Sequence, residues 1–131
     1  MEDQLKYYSN KLAYEIDSWD LKEAIERGEN VVVIDARSEE AFSKAHIPGA
    51  INIPHRAMCG EATAFLDNSA LIVTYCDGVG CNASTKGALN MTRLSFRVKE
   101  LIGGLTWWIR DGHPTEGTTL ASTGNSDCGC Q

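Results

Sequence analysis

Long apolar runs are missing from this sequence, and so is any surplus of positive charge. No stretch approaches the ~20 apolar residues that a membrane-spanning helix needs, so a spanning role is excluded. Lys plus Arg total 12 against 18 Asp plus Glu, a formal net charge of −6. Binding to nucleic acid relies on neutralising phosphates with cations, and this balance disfavours it. An anionic membrane surface is an equally poor partner. The opening Met1-Glu2-Asp3-Gln4 is acidic and polar. It lacks the basic and apolar regions of a secretion signal, so the expected location is cytoplasmic. There is no internal repeat. The five cysteines (Cys59, Cys76, Cys81, Cys128 and Cys130) are an odd number at irregular spacings. In a reducing compartment such a set reads as free, reactive or metal-binding thiols, not as a disulfide framework.

What is present describes one globular domain of ordinary size: 131 residues, 43% hydrophobic and 23% charged. Leu5, Tyr8 and Leu12 share one face of a helix over residues 2–15, a short arm suited to capping the domain or meeting a second copy. A second helix starts near Trp19 behind the caps Asp17 and Ser18, with Leu21, Ala24 and Ile25 as its apolar stripe and Gly28 at its end. Val31–Ile34 and Leu71–Tyr75 are continuous apolar strands, the pattern of a parallel sheet covered on both faces. Between them the sequence predicts a helix over 39–45 behind Ser38, a turn at Ile47-Pro48-Gly49, a strand near 50–53 and helical pieces within 55–67. A helix over 83–94, a strand over 97–101 and a helix over 104–111 follow. Strands and helices alternate, which defines an α/β class with a mostly parallel central sheet and helices on both faces. Residues 115–131 are poor in core-forming side chains and read as a flexible C-terminal tail ending in Cys128-Gly129-Cys130.

The segment Tyr75-Cys76-Asp77-Gly78-Val79-Gly80-Cys81-Asn82 carries the chemistry. Ligands of open parallel sheets bind beyond the carboxyl ends of the strands, and Cys76 stands at such an end. Gly78 and Gly80 permit a tight turn that directs backbone N–H groups of residues 77–82 at one centre. The following helix adds its unpaired N–H groups. Such surroundings favour a thiolate on Cys76, a nucleophile toward sulfane sulfur or a phosphoryl centre.

Ile34-Asp35-Ala36-Arg37, Phe42 and the run His46-Ile47-Pro48-Gly49-Ala50-Ile51-Asn52-Ile53-Pro54 resemble the first signature of rhodanese-like domains. Tyr75-Cys76 at a strand end and Gly103-Gly104 followed by Trp108 resemble the rest. The similarity spans residues 16–114 and implies a three-layer rhodanese-like domain preceded by a helical extension over 1–15. The resemblance also implies a sulfurtransferase: Cys76 takes sulfane sulfur from a small donor anion such as thiosulfate. As a persulfide it then passes the outer sulfur to a thiol, to a cyanide-like acceptor or to an acceptor protein. No metal or organic cofactor is implied. Two departures stand out. Position four of the usual six-residue loop is Val79 in place of Gly, and the span from Cys76 to Phe96 is about two residues longer than usual, so the loop is enlarged and reaches Ala83. Related phosphatases carry the cysteine followed after five residues by Arg to clamp phosphate, and here Asn82 stands there.

Several other residues admit more than one reading. Cys81 is either a resolving thiol for Cys76 or a small packing residue at the helix start. Cys128 and Cys130 are a sulfur acceptor, a soft-metal site with Cys59 or His55, or a tail without function, the last being favoured because zinc sites prefer wider spacing. His46 reads as a turn-fixing imidazole acting through Pro48 and Gly49, and Asp35 and Arg37 as scaffold polar groups. Arg56 is either a substrate-rim cation or a solvated surface residue. Trp107 and Trp108 are core and rim aromatics. The alternatives to a sulfurtransferase are a non-catalytic rhodanese-type protein-binding module and a thiol redox switch on Cys76 and Cys81.

Overall fold

The computed structural model describes residues 1–118. In chain order the elements are α1 (Glu2–Tyr14), β1 (Glu15–Ile16), α2 (Ser18–Glu26), β2 (Val31–Asp35), α3 (Glu39–Lys44), β3 (Ile51–Asn52), a 3-10 turn (His55–Ala57), β4 (Leu71–Tyr75), α4 (Ala83–Arg93), β5 (Arg97–Leu101) and α5 (Gly104–Arg110). The sheet is parallel throughout, with strand order β1-β5-β4-β2-β3.

Alternation along the central strands explains why both read as unbroken apolar runs. Val33, Val73 and Tyr75 face one way and pack with Leu21 of α2 and Leu105 and Trp108 of α5. Ile34 and Ile72 face the other way and pack with Met91 of α4 and with Leu66 and Phe96. Each strand is thus dry on both sides, as a parallel sheet between helical layers must be. The caps act locally: Asp17 Oδ1 accepts from Asp20 N–H at 2.8 Å, and Ser38 Oγ from Ala41 N–H at 3.2 Å. Gly28 follows α2 with φ +69, a conformation that costs glycine little.

Three features differ from the sequence reading. The first helix yields to extended backbone at Glu15, because Glu15 and Ile16 pair with Glu100 and Leu101 of β5. The Leu5, Tyr8 and Leu12 stripe lies open to solvent in the single chain. His46 anchors α3 and not the Pro48-Gly49 turn: its Nδ1 is 2.7 Å from Phe42 O and its ring stacks on Phe42. Past residue 114 the chain stays attached, since Glu116 bridges to His46 and Thr118 N–H donates to Ser43 O at 3.0 Å. Residues 119–131, with Cys128 and Cys130, lie outside the described residues.

The two ends of the folded unit meet in a buried clasp. Ser18 Oγ donates to Asp111 Oδ2, and His113 Nε2 lies 3.2 Å from the same hydroxyl. With the serine hydrogen given to the carboxylate, His113 Nε2 is the donor to Ser18. The rings of Trp19 and Trp108 flank the imidazole at 4.5 and 4.6 Å.

Candidate active site

The crevice between the carboxyl ends of β2 and β4 is the switch point of the sheet. After β2 the chain leaves toward β3 at one edge, and after β4 it leaves through α4 toward β5 on the other side. Chain crossings diverge there, the place where open parallel sheets bind their ligands. Cys76 is the first residue beyond β4, and Ala36 the first beyond β2. Ala36, Cys76 and Ala83 form a small apolar cluster against Met58 and Cys81.

Cys76 is 1% exposed and is a free thiol, so it is not crosslinked to Cys81. Its Sγ lies 3.1 Å from Cys81 O, 3.9 Å from Gly78 O and 3.5 Å from Ser84 Oγ. The loop turns on itself through Cys81 N–H donating to Gly78 O at 3.1 Å, and Asn82 is the N-cap position of α4. Asp77 and Gly78 are half-buried, while Val79, Gly80 and Asn82 face solvent.

Two supports hold the loop. On the β2 side, Arg37 grips Asp35 through Nε at 2.9 Å and Nη2 at 2.7 Å, and reaches Asp77 Oδ1 with Nη1 at 2.8 Å. Both members of the Asp35–Arg37 pair are buried, and Arg37 Nη2 also donates to Ala45 O at 2.6 Å. Burial works against the guanidinium charge, but the hydrogen bonds and charge of Asp35 prevail and raise its pKa above the ordinary value. The Tyr75 phenol, buried under the same pair, is pushed well above its usual range chiefly by desolvation, and accepts from Ile47 N–H at 3.1 Å. The scaffold role read for Asp35 and Arg37 is therefore specific: they carry Asp77, the residue after the sulfur.

On the other side, α5 docks under the loop. Leu105 N–H donates to Cys76 O and Thr106 N–H to Asp77 O, both at 2.8 Å. This contact explains the Gly103-Gly104 pair. Gly104 has φ +58, and a Cβ there would stand 2.3 Å from Cys76 O. A Cβ on Gly103 would strike the Trp107 ring at 2.1 Å.

Arg56 is exposed in the 3-10 turn, which is tied to the crevice by His55 N–H donating to Ala36 O at 3.1 Å. Trp108 is buried with Nε1 donating to Pro114 O at 2.7 Å, and Trp107 is on the surface. Among the described residues there is no group of three or more His, Cys, Asp or Glu placed to hold a metal. Two site residues escaped the sequence reading. Ser84, on the first turn of α4, touches the sulfur, and Ser84 Oγ donates to Glu100 Oε2 of β5 at 2.7 Å. A serine at a helix start carries only a weak signal, and Glu100 none, because strand pairing alone brings it to the loop.

An open parallel α/β sheet with a buried thiol in a glycine loop at its switch point defines the class of fold. The family is settled by the match of the rhodanese-like domain model to residues 19–111: the chain belongs to the rhodanese-like domain family. It is 42% identical to the BH2092 protein of Bacillus halodurans, whose structure superposes with a TM-score of 0.85 over 89% of this chain and 86% of that one. Thiosulfate sulfurtransferase 16, chloroplastic, of Arabidopsis thaliana is 32% identical over 93 residues, 63% of this chain and 78% of its own length. The HTH-type transcriptional regulator Rv0324 of Mycobacterium tuberculosis is 38% identical over 92 residues, 70% of this chain. The match spans only 39% of the regulator's length. No helix among the described residues is long and apolar enough to cross a membrane.

Proposed function

We propose that the protein is a sulfurtransferase in which Cys76 takes a sulfane sulfur from a small anionic donor of the thiosulfate type and passes it to a thiol or other thiophilic acceptor. The observation that carries the reading is the free Cys76 thiol at the carboxyl end of β4, inside a loop held from both sides. The thiolate attacks the outer sulfur of the donor, an S–S bond forms, and the S–S bond of the donor breaks with sulfite as leaving group. The acceptor then attacks the outer sulfur and returns Cys76 as thiolate. Backbone N–H groups of Asp77, Gly78, Val79, Gly80 and Asn82 hold the persulfide anion, the Cys81 N–H being spent on Gly78 O, and Arg56 meets the donor at the rim. Intact mass after incubation with thiosulfate tests the reading. Gain of one sulfur atom at Cys76 is expected; an unchanged mass would favour the protein-binding module instead.

Two further results follow. Gly104→Ala should slow sulfur transfer roughly a hundredfold, the scale on which a 1 Å displacement of a reacting group acts. Its Cβ must push Cys76 O away and break the two amide contacts from α5. Steady-state transfer on a protein that still melts cooperatively measures this, and an unaltered rate would show that α5 does not place the loop.

Hydrolysis of an aryl phosphate should be negligible. Phosphoryl transfer needs cations on the equatorial oxygens, and Asn82 stands where a guanidinium would be required. Turnover that vanishes in Cys76→Ser would overturn the choice of sulfur over phosphorus.

A further inference from the structure

Glu100 belongs to no motif, yet it is one hydroxyl away from the sulfur. Its Oε2 accepts two hydrogen bonds, from Ser84 Oγ at 2.7 Å and from Thr85 Oγ1 at 2.6 Å. A carboxylate only accepts, so the single hydrogen on Ser84 Oγ is spent on Glu100. What Ser84 turns toward Cys76 Sγ, 3.5 Å away, is a lone pair. The neighbouring contacts at Gly78 O and Cys81 O are lone pairs as well. The sulfur is thus met by three acceptors, an arrangement that suits S–H and offers the anion no donor from these atoms.

Ser84 is held firmly in this role. It is buried, and its main-chain carbonyl accepts from Thr74 Oγ1 at 2.9 Å, which fixes the start of α4 on β4. Glu100 in turn lies in register with Glu15 of β1, so the two carboxyl side chains share one side of the sheet. Lys11 binds Glu15 at 2.8 Å and supplies the nearby positive charge. Beside the sulfur itself, the acid at Asp77 is paired with Arg37.

We propose that Glu100 is a positioning residue for Cys76: by holding the Ser84 hydroxyl hydrogen it keeps the sulfur in its thiol form, and releasing that hydrogen lets Ser84 donate to the thiolate. The proposal deepens the sulfurtransferase reading, because it assigns what sets the readiness of the same nucleophile. No covalent change is involved. One O–H turns from a carboxylate oxygen to a sulfur when Glu100 is protonated or displaced.

The rate of Cys76 carbamidomethylation by iodoacetamide, followed across pH by peptide mass so that other thiols do not interfere, tests this without any sulfur donor. A protein that never accepts sulfur from thiosulfate would sink the activity reading and leave this test standing. In Glu100→Ala the midpoint of the profile should fall by about one pH unit, with roughly tenfold faster alkylation below it, as expected for one gained hydrogen bond to a charged group. Thr85→Val, which removes the other hydroxyl on Oε2, should leave the midpoint in place. In a Ser84→Ala background the Glu100→Ala change should disappear. An unmoved or raised midpoint in Glu100→Ala would overturn the proposal. So would an equal fall with and without Ser84, since that would make Glu100 a charge acting through space. Should Glu100→Ala fail to fold, Glu100→Met, which likewise offers Ser84 no oxygen acceptor, carries the test with the same sign.

Discussion

Cys76→Ser should abolish transfer of sulfur from thiosulfate to cyanide while leaving the melting behaviour close to that of the parent. The hydroxyl fits the same site, where it can donate to Cys81 O as the thiol does, so the fold keeps its contacts. It cannot replace the thiolate as an acceptor of sulfane sulfur, because sulfur transfer passes through an S–S bond. Single serine variants at Cys59, Cys76 and Cys81, assayed side by side, measure this. Full activity in Cys76→Ser, or loss confined to Cys81→Ser, would move the nucleophile elsewhere. The latter result would revive the redox-switch alternative, in which both thiols are needed.

Arg37→Met should be the most destabilising single change in the site, by about 3–5 kcal/mol, the cost of leaving one member of a buried ion pair without the other. Asp35 is 0% and Arg37 3% exposed, so solvent cannot take the place of the guanidinium. Ala45 O loses the Arg37 donor at the same time, and Asp77 its ion pair with the guanidinium. In a domain of this size the melting temperature should fall by roughly 10 °C or more. The double change Asp35→Asn with Arg37→Met should recover part of the loss, because it removes the stranded charge. A melting temperature unaffected by Arg37→Met would contradict the account of how the loop is carried.

The architecture was legible in the sequence wherever the pattern was local. Asp17 and Ser38 announce their helices, and the unbroken apolar runs of β2 and β4 announce a sheet covered on both faces. The place of Cys76 at the end of β4 was legible as well, since a cysteine ahead of two spaced glycines after an apolar strand is a compact signal. What stayed hidden depends on pairing at long range. Glu15 and Ile16 continue a helical pattern until β5 claims them. Glu100 is one acidic residue in a strand, 24 positions from the sulfur it approaches, and only the register of β5 beside β4 brings it there. His46 misled for the opposite reason: the neighbouring Pro48-Gly49 turn suggested a partner, whereas Phe42, one helical turn back, supplies it.

The clasp between Ser18, Asp111 and His113 has a bearing on where this unit begins and ends. The stretch that the family shares, residues 19–111, stops short of two of its three members. A fragment trimmed to those limits would retain Asp111 without the hydroxyl it accepts from, and would strip the imidazole from between Trp19 and Trp108. It would also discard Glu116 and Thr118, which bind the strand and helix around His46 and Ser43. Grafts or truncations of this domain therefore keep these hydrogen bonds only if they run from Glu15, whose strand pairs with β5, through Thr118.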